Sequence, residues 1–201
     1  EDKLMILLSA GHHPLAKGAS YNGHTEHDEA ILWVSEIANL IRGRMRVDIV
    51  PTGPRGDKVK WINAQASARL VCELHFNSDE SKRQHGSETL YCPGSWSGKA
   101  VAEAVQEAIG GLFPPSRGAK EGWYRQDKPG RVDYPGDIDG DERLDYFLEA
   151  TTPTAIIVEP EFIYNFGLIQ ERRHPACAAL ADALVLSAQT IIGQKKNGMT
   201  V

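Results

Sequence analysis

The chain has 201 residues, 41% hydrophobic and 24% charged, which is enough apolar material for one domain with its own core and too much for a disordered chain. A formal net charge of −5 without any basic stripe excludes a nucleic-acid partner, and no run of about 18 apolar residues exists to cross a membrane as a helix. Cys72, Cys92 and Cys177 are widely spaced and form no Cys-x-x-Cys pair, so they read as thiols and not as a disulfide framework.

Taken in chain order, residues 4–9 are predicted as a first strand, followed by a polar, Gly-rich loop over 17–23. Thr25, with Asp28 three residues on, is a capping-box N-cap, and Ile31, Val34, Ala38 and Ile41 carry a helical stripe to about residue 42. Residues 45–50 form a second strand stopped by Pro51, and 57 to about 69 a helix. Strands follow over 70–76 and 86–92, then a helix over 96–112. Residues 113–141 are rich in Gly, Pro, Asp and Arg; a loop of that length is uncommon in a compact domain and often functional. A short helix over 142–149, an apolar strand over 155–159 and a closing helix over 174–192 complete the pattern. Strands alternating with helices give an α/β fold: a single domain, residues 1–193, with a central, mostly parallel twisted sheet flanked by helices on both faces. Residues 194–201 read as a C-terminal tail or the start of a linker. No signal-peptide pattern is visible, and a start at Glu1 instead of Met leaves room for an upstream segment.

The polar residues that stand out lie where strands end. His12 follows the first strand, Glu26 falls in the first turn of the first helix, and His75 closes the third strand. In open α/β sheets ligands bind at such strand ends. A catalytic zinc site takes three protein ligands and leaves one position open, and imidazole nitrogen and carboxylate oxygen both suit it. Each residue also has a plainer reading. His12 can be a loop residue, with His13 its rival, and Glu26 is accounted for by the helix dipole alone. His75 is harder to dismiss. Strand alternation sets Cys72, Leu74 and Phe76 on one face and Glu73, His75 and Asn77 on the other, and three buried polar groups are costly without a role. Glu73 is placed either to accept from the second ring nitrogen of His75 or to pair with a Lys or Arg. Glu159 ends the apolar run Ile156-Ile157-Val158 before Pro160. Burial there raises a carboxyl pKa toward that of a general base, which a nearby cation opposes. Glu161 shares its face, so periodicity leaves the choice between the two open.

Four segments in order resemble the zinc-dependent N-acetylmuramoyl-L-alanine amidases of the bacterial-autolysin and phage-endolysin type. They are Ser9-Ala10-Gly11-His12, Asn22-Gly23-His24-Thr25-Glu26, Glu73-Leu74-His75-Phe76-Asn77 with Gly86-Ser87-Glu88, and the stretch from Pro153 through Glu159-Pro160-Glu161-Phe162 to Asn165. The resemblance implies one Zn2+ per chain held by His12, Glu26 and His75, with Glu159 as the catalytic carboxylate. It implies peptidoglycan as the substrate and the bacterial cell wall as the place of action, reached by secretion, through the periplasm or by release during phage lysis. Asn77, Arg125 and Asn165 are expected to contact substrate; the 113–141 segment, with Trp123, Tyr124 and Arg125, is the candidate for holding the stem peptide, and its plainer reading is a surface loop packed by its own aromatics. Another zinc amidohydrolase or carboxypeptidase acting on peptides or N-acyl amino acids is the alternative. Three departures from the family pattern stand out: Glu73 where a small residue is usual, His13-Pro14 after the first histidine, and a long, charged stretch over 122–141.

Overall fold

The computed structural model describes residues 4–122 and 146–196. Strands β1 (Met5–Ala10), β4 (Arg46–Ile49), β5 (Ala68–Leu74), β6 (Glu88–Tyr91), β7 (Ala119–Glu121) and β8 (Thr154–Glu159) form a six-stranded sheet in the order β4-β1-β5-β8-β6-β7. β4, β1, β5 and β8 run parallel, and β6 joins β8 antiparallel and carries β7 parallel to itself. A two-strand ribbon, β2 (Ser20–Tyr21) and β3 (His24–Thr25), precedes α1 (Glu26–Ile41). α2 (Arg55–Asn63), α3 (Trp96–Gly110), α4 (Tyr146–Ala150) and α5 (Phe166–Lys196) are the other helices, with a 3-10 turn over Ile163–Asn165.

The central strands are buried on both faces, so their side chains alternate between two apolar layers. Ile6, Leu8, Leu70, Cys72, Leu74, Ile156 and Val158 meet Trp33, Ile37, Val105, Leu180 and Leu184 from α1, α3 and α5. Met5, Leu7, Val71, Ala155 and Ile157 meet Val59 and Ile62 of α2 and Phe147 and Leu148 of α4. Cys72 and Cys177 are buried and Cys92 is half-buried. The expected α/β sheet with helices on both faces is present.

Several boundaries differ from expectation. α2 stops at Asn63 because the chain from Ala68 pairs along the whole of β1, and that ladder outweighs the weak helical spacing of residues 64–69. The stretch expected as a loop over 17–23 instead contains β2 and the turn into β3, made at Asn22-Gly23 with φ of 48° and 84°, the left-handed pair that a tight hairpin turn requires. The short helix is placed at Tyr146–Ala150. α5 begins eight residues before the expected start and runs through Pro175, which forfeits one helical hydrogen bond. Burial of Ile169, Ala176, Cys177 and Leu180 on both sides of the proline offsets that loss. The helix continues to Lys196, into the expected tail.

Candidate metal centre

β1, β5 and β8 end on one rim, and the residues just past them build the site. The β1–β5 register runs to Ala10↔Leu74, so Gly11 lies beside His75. The Gly11 amide donates to the Leu74 carbonyl at 2.7 Å, and the His75 amide to the Val158 carbonyl at 3.0 Å. A Cβ on Gly11 would lie 2.7 Å from three ring atoms of His75, so this approach requires glycine. His12 follows with φ of 58°, a left-handed conformation that costs a non-glycine residue roughly 1–3 kcal/mol. The surroundings that enforce it turn the His12 ring toward His75, with ring centroids 4.9 Å apart. Glu26 opens α1 directly after its N-cap Thr25, whose hydroxyl accepts from the Asp28 amide as the capping-box pattern requires.

Glu26 sits between the two imidazoles. Its Oε2 is 2.8 Å from His12 Nε2 and 3.6 Å from His75 Nδ1, while its Oε1 accepts from the Ala19 amide at 2.7 Å. Ligand atoms of the three residues all lie within 4.8 Å of one another. Tetrahedral zinc with bonds of about 2.0–2.1 Å separates its ligands by roughly 3.3 Å, which the two shorter spacings straddle. Burial alone would raise the Glu26 pKa, but hydrogen bonds and charge from His12 and His75 bring it down to about 2. Burial would lower that of His75, yet its bonds to Glu26 and Glu73 carry it up to about 10. Two imidazoles and a fixed anion thus form a donor set that fits a divalent cation. Gly18, at φ +77°, floors the cluster: a Cβ there would lie 2.5 Å from His12 Nε2 and 2.9 Å from Glu26 Cδ. Gly18→Ala is therefore expected to weaken retention of any metal ion held by this cluster and to cost about 1–3 kcal/mol of stability, read by chelator competition and thermal melting. His13 is outside the cluster and bridges Ala16 through its backbone.

Glu73 fills both roles open to it. Its Oε1 is 3.0 Å from His75 Nε2 and its Oε2 is 2.5 Å from Lys58 Nζ. Burial would raise its pKa, but the Lys58 charge and the His75 bond hold it well below the usual carboxylate range. On the other side of His75, Leu74↔Val158 register brings Glu159 alongside, and Glu88 pairs with Glu159 across β6. Glu159 Oε2 is buried and has no hydrogen-bond partner among the described residues. Burial, added to by the charges of Glu88 and Glu26 and opposed by His75 and Arg117, pushes its pKa up to about 7. Glu161 is different. It is fully buried and accepts from the amides of Gly86 and Phe162 and from Asn165 Nδ2, at 3.1, 2.7 and 3.0 Å.

Residues 6–170 match the model of the Amidase_3 family, described as N-acetylmuramoyl-L-alanine amidase. The chain belongs to the N-acetylmuramoyl-L-alanine amidase family. Its reaction is hydrolysis of an amide bond in peptidoglycan. Among solved structures it is similar to the catalytic domain of the amidase CwlV from Bacillus (Paenibacillus) polymyxa var. colistinus, at 16% identity and a TM-score of 0.73 over 92% of this chain and 98% of that one. An amidase from Clostridium difficile 630 matches at 17% identity and a TM-score of 0.72, over 97% and 100% of the two chains. The catalytic domain of the CD27L endolysin, which targets Clostridia difficile, matches at 23% identity and a TM-score of 0.70, over 91% and 97%. At these identities the likeness concerns the fold. No curated protein sequence matches the chain.

Within this amidase, Asn77 donates to Glu88 Oε1 at 2.6 Å, and Asn165 donates to Glu161 and to the Gln84 carbonyl and meets His85 Nδ1. Both amides thus tie loops around the rim. Arg125, with Trp123 and Tyr124, lies outside the described residues. Sequence reading missed Lys58, Gly18 and Arg117. Arg117 pairs with Glu88 at 3.3 Å and lies over the Phe162 ring, 5.0 Å from its centroid, next to Glu159. The raised pKa of Glu159 has a stability consequence. From its ordinary value of 4.5 up to about 7 the unfolded chain has released this proton and the folded chain keeps it, so stability falls across that window. In metal-free protein Glu159→Gln is expected to be more stable than the native chain by about 1–3 kcal/mol at pH 8 and equal to it near pH 4, read by denaturant titration.

Proposed function

We propose that this amidase hydrolyses the amide bond between N-acetylmuramic acid and L-alanine, with one zinc ion held by His12, Glu26 and His75 and with Glu159 as general base and acid. The observation that carries this reading is the three-donor cluster with, one strand away, a carboxyl oxygen that has no partner among the described residues. Two nitrogens and one oxygen suit zinc, and three protein ligands leave a position for water. A zinc ion there supplies Lewis acidity, polarising the amide carbonyl and making water acidic near neutral pH.

The chain's residues do the rest. Glu26 and the two histidines place the cation on the rim, and the bond from Ala19 fixes the Glu26 carboxylate while Oε2 stays directed at the imidazoles. Glu159 accepts a proton from the attacking water as its oxygen bonds the carbonyl carbon. It then gives that proton to the alanine nitrogen as the C–N bond breaks, leaving a muramic carboxylate and a free amine. Its apolar strand end keeps it near neutral pKa, and the flanking cation lowers that value further, so the ionised form is present at pH 7. The acid limb of kcat/KM is therefore expected at or below pH 7. A limb centred clearly above pH 7 contradicts Glu159 as the base.

In this reading Asn77, Arg125 and Asn165 contact substrate, Arg125 meeting the stem peptide from the 113–141 stretch, and the bonds of Asn77 to Glu88 and of Asn165 to Glu161 orient those two amides at the rim. The reaction takes place at the bacterial cell wall, reached by secretion, through the periplasm or in phage lysis. Among the described residues no helix is long and apolar enough to cross a membrane. Mass spectrometry of digested, purified peptidoglycan tests the proposal. Stem peptides beginning with a free L-alanine amine, with the glycan intact, are expected. Release of single amino acids from peptide C-termini would point to a carboxypeptidase instead, and no zinc-dependent product would overturn the reading.

A further inference from the structure

Behind His75 lies a buried charged assembly that none of the catalytic steps uses. Lys58 is 4% exposed and Glu73 2% exposed, and their side chains meet at 2.5 Å. Lys58 Nζ also donates to the Ala10 carbonyl at 2.8 Å and to Ser9 Oγ at 3.3 Å, and the Ser9 hydroxyl donates to Glu73 Oε2 at 2.6 Å. Every contact to Lys58 and Ser9 falls on Oε2, which leaves Oε1 for His75 Nε2 at 3.0 Å. Lys58 comes from α2, Ser9 from β1 and Glu73 from β5, so three elements converge on one carboxylate. A charged pair this deep is costly to desolvate and is weak evidence for stability. What it does achieve is geometric. With the carboxylate pinned on one oxygen, the other holds the Nε2–H of His75, and Nδ1 is left directed at Glu26 Oε2.

We propose that Lys58, Glu73 and Ser9 form a positioning unit for the metal ligand His75, fixing its ring plane and presenting Nδ1 to the cation. The inference rests on the zinc reading of the site. Outer-sphere partners of this kind typically contribute about 10–100-fold to metal affinity. The unit also links the cation to α2, a helix that itself offers no ligand.

The test is zinc affinity, measured by chelator competition at fixed pH on metal-free protein, with the metal-free melting temperature as a control of folding. Lys58→Met with Glu73→Ala removes both charges together and leaves no buried ion unpaired. That double variant is expected to melt within a few degrees of the native chain and to bind zinc about 10–100-fold more weakly. Lys58→Met with Glu73→Gln keeps a neutral acceptor for Nε2–H, is closer to isosteric, and is expected to fall between the two. It decides the matter if the first variant does not fold. Native-like zinc affinity in a folded double variant would make the pair structural only and overturn the proposal. A native chain that binds no zinc would instead overturn the metal site on which it depends, and the two failures are told apart by the native control.

Discussion

Glu159→Gln is expected to lower the rate of stem-peptide release by about 10²–10⁴-fold while a full equivalent of zinc stays bound. Glutamine keeps the shape of the side chain and the apolar packing at the end of β8, but it cannot take a proton from water or return one to the leaving amine. None of the three donors hydrogen-bonds Glu159, so the cation site is left as it was. The loss should appear in kcat more than in KM, since the missing contribution is made to the transition state. Glu161→Gln is the matched control. That carboxylate is occupied by two backbone amides and Asn165, so its replacement should cost stability before chemistry. Near-native release of amines by Glu159→Gln would remove Glu159 from the reaction.

His75→Ala is expected to lose both the metal and the activity. Its imidazole supplies one of three donors, and the loss exceeds the roughly 10–100-fold effect of an outer-sphere partner. It also strips Glu73 Oε1 of its donor inside the protein, at a cost of about 1–3 kcal/mol. Elemental analysis at micromolar free zinc reads the first effect and thermal melting the second. A full equivalent of zinc in folded His75→Ala would take His75 out of the ligand set. His12→Ala gives a cleaner partner measurement, because the His12 side chain is 30% exposed and its loss leaves no buried group unpaired apart from Glu26.

What the sequence made legible followed from periodicity. The alternation over residues 72–77 put Glu73, His75 and Asn77 on one face, and in the fold Cys72, Leu74 and Phe76 are indeed in the opposite apolar layer. The capping pattern at Thr25 and Asp28 fixed where α1 begins, and with it the height of Glu26 on the rim. What stayed hidden depended on contacts between distant segments. Lys58 lies on a helix of ordinary polar composition, and only the packing of α2 over β1 and β5 brings it to Glu73. Gly18 reads as one more loop glycine until the fold sets it against His12 and Glu26. Glu159 and Glu161 are equivalent by period two. They differ in burial and in hydrogen-bond partners: Glu161 is fully buried and held by the Gly86 and Asn165 loops, which no periodicity shows. The β2–β3 ribbon was within reach of sequence reading, since Asn22-Gly23 is a strong hairpin signal, but its two-residue strands are too short to show alternation.

Zinc-edge anomalous diffraction from crystals of the protein loaded with one equivalent of zinc tests the convergence of His12, Glu26 and His75 most directly. A single strong peak is expected about 2.0–2.2 Å from a ring nitrogen of each histidine and from a Glu26 oxygen, with Glu159 facing the remaining open position. A peak elsewhere, a fourth protein ligand closing the site, or no zinc at these three residues would contradict the account.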